Sequence, residues 1–247
     1  ATVTRDTPKT IHDPATNKIY DVPANYLGVR PRSDGNPGYE AEIEESRTNY
    51  LLNSSFETDT NSDGLADAIS SITHSGGEVT GVIKELSSDS VHSQKSQRLA
   101  ATFTVSPGDR YERINFNYTP IDSFAAGQTA VLTFYAKGFL SGMGFNSAMA
   151  AYNSSGGYIA ERGTTHFTAG NSEFGWQKFT AYYTDLPANT SRISFRIYLP
   201  SADHGDSYDI KIDAAQIERA TFPTSYIPTA TSAVTRAADG VSVPSNN

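Results

Sequence analysis

SRISFRIYL at residues 191–199, followed by SYDIKIDAAQIE at 207–218, decides the fold class. In the first, Ile193, Phe195, Ile197 and Leu199 alternate with Arg192, Ser194, Arg196 and Tyr198. In the second, Tyr208, Ile210, Ile212 and Ala214 alternate with Asp209, Lys211, Asp213 and Ala215. Successive side chains of a β-strand point to opposite faces, so apolar residues at period two mark a strand with one buried side. Three runs upstream repeat the pattern. Ile114, Phe116 and Tyr118 share a face in RINFNYT, and Leu132, Phe134 and Ala136 share one in VLTFYAKGFL. Phe179, Ala181 and Tyr183 share one in WQKFTAYYT. The turn-rich stretches SPGD, AAGQT, NSSGG, TAGNSEFG, LPANT and SADHGD separate the runs. No segment has helical periodicity. The expected fold is all-β: a two-sheet antiparallel sandwich of jelly-roll type.

Composition narrows the function. The chain has 247 residues and a formal net charge of -8, which disfavours nucleic acid and anionic membrane surfaces, both of which call for clustered Lys and Arg. It has no Cys, so disulfides, thiolate metal sites and cysteine nucleophiles are excluded together. No apolar run reaches 18 residues, so no membrane-spanning helix is expected. The first residue is Ala and no signal peptide is visible, as expected of a mature product or an excised fragment. The five His are scattered, with no H-x-H or H-E-x-x-H spacing, and no G-x-S-x-G elbow occurs. The expected role is not enzymatic.

Three zones follow. Residues 1–48 are polar and Pro-rich and read as an extended N-terminal arm, with short strands near Lys18–Val22 and Glu40–Glu44. Residues 49–219 form the body, and 220–247 a second extended arm. ATVTRD at 1–6 and AVTRAAD at 233–239 echo each other, either by chance or because both arms do one docking job.

The sharpest local motif is DTNSDGLAD, residues 59–67. Asp59, Asn61 and Asp63 lie two apart, Gly64 follows, the Leu65 carbonyl is a backbone ligand candidate, and Asp67 closes the set. Calcium takes six to eight oxygens at about 2.3–2.6 Å, and alternate Asx residues on a tight loop converge such oxygens. Ser70 stands where a calcium loop has its bidentate Glu, so another carboxylate would have to complete the shell. The alternative is a solvated Asx turn.

The body resembles the jelly-roll carbohydrate-binding modules of bacterial glycanases. The resemblance rests on NSSFE at 53–57, AVLTFYAKG, GWQKFT and YDIKIDAAQIE, in that order. The flanks are similar to segments of phage tail and virion proteins, through EIEESRTNYLLNSSFE and FPTSYIPTATSAVTRAAD. The first resemblance implies a structural calcium between Glu57 and Asp213. It also implies that Trp176 packs at the core edge, with a stacking platform as the alternative. Sugars are held by an aromatic ring against a pyranose face plus polar groups for the hydroxyls. The outward residues Tyr135, Lys137, Tyr182, Arg196 and Tyr198 would form such a patch if their strands adjoin. A protein interface would use the same residue types.

The expected function is therefore a non-catalytic virion decoration or tail-fibre component, located on the virion or extracellularly. It would form a homo-oligomer or bind other virion proteins, and touch host surface polysaccharide. A carbohydrate-binding module of a secreted glycoside hydrolase is the alternative, and a polysaccharide depolymerase the residual one.

Overall fold

The computed structural model describes residues 2–32, 38–75, 79–104, 110–120, 126–201 and 204–242. Among them there is no helix, as the period-two runs require. The N-terminal zone holds β1 (Thr2–Thr4), β2 (Lys9–Asp13), β3 (Lys18–Val22), β4 (Val29–Pro31), β5 (Tyr39–Ala41) and β6 (Arg47–Asn49). The body holds β7 (Ile69–Ser75), β8 (Val79–Ser87), β9 (Ser96–Phe103), β10 (Arg110–Pro120), β11 (Ala130–Tyr152), β12 (Tyr158–Tyr183), β13 (Arg192–Ser201) and β14 (Ser207–Arg219). The C-terminal zone holds β15 (Val234–Arg236) and β16 (Gly240–Ser242).

One ladder runs β7-β10-β13-β11-β14-β9-β8, with β12 paired to β11, and every pairing is antiparallel. It becomes a sandwich because β11 serves both halves. Its residues 130–141 pair with β14, its residues 146–152 pair with β13, and β12 follows it along both halves. Layer one is β7, β10, β13 and the facing halves of β11 and β12. Layer two is β8, β9, β14 and the other halves. The chain turns between layers at Gly142, whose φ is 72°. That left-handed backbone favours glycine, and a Cβ there would also sit 1.8 Å from the Asp206 carboxylate.

The inward faces interdigitate as one core. Phe116 stacks on Phe195 at 4.0 Å, and Phe134 on Phe179 at 5.3 Å. The period-two apolar residues of β10 to β13 lie in this core, as do Tyr208, Ile210 and Ile212 of β14. The side chain of Tyr118 lies outside the described residues. Two local expectations are corrected. Ala214 does not continue the inward series, because it adopts φ 47° at a register shift. That bulge turns Ala214 outward and returns Ala215 and Ile217 to the core. The TAGNSEFG segment is strand rather than turn, carried along the ladder by β11.

Both arms fold against the body. β1 pairs with β16 and β15 with β6, joining the two ends of the chain. The β2–β3 hairpin lies over the outer side of layer two, where Ile19 joins Val91, Tyr135, Trp176, Ala214 and Tyr226 in a second apolar cluster. Charged residues pin this cover. Asp239 accepts from Arg5, from Lys9 Nζ at 3.0 Å and from the Glu44 amide at 3.0 Å. Arg236 pairs with Glu44 at 2.8 Å. Arg5, Lys9 and Arg236 are all buried, and buried charges persist only when paired and hydrogen-bonded. The echoed TR dipeptides thus place one buried arginine on each arm, Arg5 and Arg236.

Candidate functional site

No described segment covers the outer side of layer one, and the register fixes what it displays. One row across the strands reads Arg113, Tyr198, Asn146, Thr165. The next reads Asn115, Arg196, Ala148, Gly163, and beyond it Ala150 faces Glu161. Small residues in the middle, flanked by taller ones, leave a groove of about 430 Å³ bordered by Asn146, Ala148, Glu161, Gly163, Thr165 and Tyr198. A larger concavity of about 570 Å³ lies between the arms, but no aromatic ring lines it.

The groove's side chains are held in place by one another. The Tyr198 hydroxyl donates to Glu161, with oxygens at 3.0 and 3.1 Å. Arg196 donates to Glu161, to the Tyr198 hydroxyl at 3.2 Å and to the Tyr152 hydroxyl. Its guanidinium lies 5.7 Å from the Tyr152 ring centre, a cation–π distance. Burial and the neighbouring Glu161 push the Tyr198 phenol above its ordinary pKa, so it stays a neutral donor. Tyr158 stands 60 % exposed beside Tyr152, a ring face open at the sheet edge. Asn146 Oδ1, Arg196 Nε and Arg113 Nε are shut off from solvent without a partner. Buried polar atoms normally find one, so these three stand out on this face.

The six sugar-binding candidates do not form one patch. Arg196 and Tyr198 adjoin on layer one, while Tyr135, Lys137, Trp176 and Tyr182 belong to layer two. Tyr135 is 4 % exposed beneath the β2–β3 hairpin, with its ring against His12 at 5.2 Å. Trp176 belongs to the same covered cluster and donates its Nε1 to Asp89 at 2.9 Å. Asp89 also takes Lys137 at 3.0 Å and Lys211 at 2.8 Å. Burial alone would raise its pKa, but the donors Lys211, Trp176 and Lys137 reverse this and hold it well below the usual carboxylate range. Tyr182 is exposed but stands apart from the groove. The period-two pattern finds outward residues, not which of them a distant segment covers.

Sequence reasoning missed Asn146, Glu161, Gly163 and Arg113. The stretch 141–170 has few large apolar residues in alternation, so its strands are illegible locally. A usable signal was the pair GFNSAMAAY and YIAERGTTHF flanking the NSSGG turn, two strand-length arms of a hairpin.

In the 59–67 loop, the carboxylates face the loop's own donors. Asp59 accepts from the amides of Asp63 at 3.2 Å and Gly64 at 2.9 Å, and Asp63 accepts from the Leu65 amide at 2.9 Å. Asn61 bonds Asp63, and Asp67 accepts from Thr58 and Thr60. These side chains would have to leave those donors to surround a cation. Glu57 and Asp213 are brought together: Glu57 caps the Gln94 and Lys95 amides, and Asp213 those of Val91, His92 and Ala214. Burial pushes the Asp213 carboxyl up to about 8 despite these three amides, and Glu57 adds to the rise. A hard cation between the two carboxylates would relieve that strain. Among the described residues, no group of three or more acidic or histidine side chains is arranged around a common point.

No protein-family model and no curated protein matches the chain. Solved structures of similar fold include the enzymatically active domain of the bacteriophage CBA120 tailspike protein 4, at 16% identity and TM-score 0.44. That match covers 68% of this chain, which spans 21% of the tailspike chain. A carbohydrate-binding module of the β-sandwich superfamily aligns at 12% identity and TM-score 0.47, over 81% of this chain and 77% of its own. The xylan-binding domain CBM22-1 from Paenibacillus barcinonensis aligns at 19% identity and TM-score 0.34, over 72% and 96%. The chain is an all-β antiparallel sandwich.

Proposed function

We propose that this protein binds polysaccharide without cleaving it, through the groove on the outer side of layer one. The observation that carries this reading is the groove itself. It has a floor of small residues and the wall-forming Tyr198, whose ring is fixed by Glu161 and Arg196. A ring face for a pyranose and preset polar groups for hydroxyls are what sugar recognition needs. The similarity of the flanks to virion proteins supports a place on a virion surface, contacting host polysaccharide as part of a homo-oligomer or beside other virion proteins. A module of a secreted glycanase would use the same groove. Calcium at Glu57 and Asp213 would pin the 91–95 loop and have no catalytic part.

Gly163→Leu tests the groove directly. A Cβ at Gly163 meets only the Ser147 carbonyl at 3.5 Å and the Ala148 Cβ at 3.7 Å, ordinary contacts, so the variant folds with the groove filled. In calorimetry against a panel of polysaccharides, the natural chain should bind at least one, and Gly163→Leu and Tyr198→Ala should bind none. Unchanged binding by Gly163→Leu would remove the groove from the proposal. For calcium, the expected result is a higher melting temperature with the ion than with chelator, lost in Glu57→Gln.

A further inference from the structure

The sheet face around the groove differs in charge from the chain that carries it. The whole protein has a net charge of -8, yet the rows across the outer side of layer one display Arg113, Arg192 and Arg196. Glu161 is the carboxylate among the described side chains of those rows, and it is already engaged by Arg196 and Tyr198. Arg113 is not so engaged. It stands directly across from Tyr198, with Glu112 and Ile114 on either side turned into the interior. Among the described residues no ion pair meets its charge, and its buried Nε donates to nothing. Cross-strand neighbours on one face lie within about 5 Å at Cβ, so a ligand lying on Tyr198 lies within reach of Arg113. Arg192 is exposed at the end of the same face, opposite Tyr152.

A guanidinium with its fork unoccupied matches a carboxylate in geometry and charge, and charge-assisted bonds of this kind are about twice as strong as neutral ones. A neutral sugar would leave the Arg113 charge unmet in a half-enclosed site; a hexuronate would meet it. We infer, on the basis of the glycan-binding reading of this groove, that its ligand is an acidic polysaccharide bearing uronate carboxylates, with Arg113 as the side chain that reads the carboxylate. The net negative charge of the chain repels polyanions at long range, so retention of one would have to come from this local basic face.

Calorimetry on the full chain tests this with polygalacturonate, alginate and hyaluronate, each before and after reduction of its carboxylates to primary alcohols. At least one native polymer should bind tenfold or more tighter than its reduced form, and added salt should narrow the gap. Arg113→Gln should bring the two forms together, because the native polymer loses far more affinity than the reduced one. Arg113→Lys, a charge without the fork, should restore only part of the preference. Equal binding of native and reduced polymers, or a preference that survives Arg113→Gln, would overturn the inference and leave the glycan-binding reading intact. Binding of an uncharged polysaccharide alone would do the same. No binding to any polysaccharide, charged or neutral, would overturn both.

Discussion

The outer sides of the two layers are written in the same alternating code and end in opposite states. On layer one, Tyr198, Asn146 and Glu161 border an open groove around a floor of Ala148 and Gly163. On layer two, Tyr135 and Asp213 are buried beneath segments distant in the chain, His12 and the 91–92 loop. Those segments match the face they cover: Ile19 and Tyr226 meet its apolar part, and Arg5, Lys9 and Arg236 are paired by Asp239 and Glu44. An outward tyrosine is therefore a binding candidate on one layer and a packing residue on the other. The difference lies in what else the chain brings to that face.

Removing the cover is the most severe way to break this contrast. Asp239→Ala leaves Arg5 and Lys9 buried without their shared carboxylate, and losing one partner of a buried pair costs roughly 3–5 kcal/mol. Denaturant unfolding should show that loss. Trp176, the chain's one tryptophan, sits in the covered cluster, so its fluorescence should shift to the red as the arm lifts. Glycan binding by folded Asp239→Ala should persist, since the groove lies on the other layer.

Acidification reaches the open layer from beneath. His166 sits among Phe134, Phe145 and Phe179 and bonds Ser147, which borders the groove, at 2.7 Å. Burial lowers its pKa to about 4. The unfolded chain then takes up this proton near pH 6.5 and the folded chain only near 4, so stability present above pH 6.5 is lost as pH falls through that window. Natural protein should lose on the order of 2 kcal/mol more than His166→Phe between those two values, measured by urea unfolding. An identical pH profile in both proteins would refute the assignment.

Within the groove, Tyr198→Phe deletes one hydroxyl that donates to Glu161. Glycan affinity should fall by about 1 kcal/mol, roughly fivefold, in calorimetry. On layer two, Tyr182→Ala should change stability by no more than about 0.5 kcal/mol, because its ring is exposed and lies outside the groove. Glycan affinity should be unchanged in that variant; a loss there would mean that the ligand crosses the sandwich edge.

Much of the fold was legible in the sequence because strand periodicity is local. Each side chain's face follows from the residue's parity, so Phe116, Phe134, Phe179 and Phe195 could be placed in one core without knowing their partners. Parity fails where an extra residue enters the ladder, as at Ala214, and it is silent where small residues blunt the alternation, as across β11 and β12 near Gly142 and Gly163. Of the groove, Arg196 and Tyr198 were legible as outward and two apart on one strand. Glu161 and Arg113 were not, because they reach Tyr198 only through pairing with two other strands.

The amino-acid order by itself settled that this chain is a β-sandwich without cysteine chemistry, since alternation and composition need no knowledge of contacts. Only the tertiary structure decided which outward face is open. Covering a face draws on remote residues, and no local pattern records where Arg5 meets Asp239, 234 positions on.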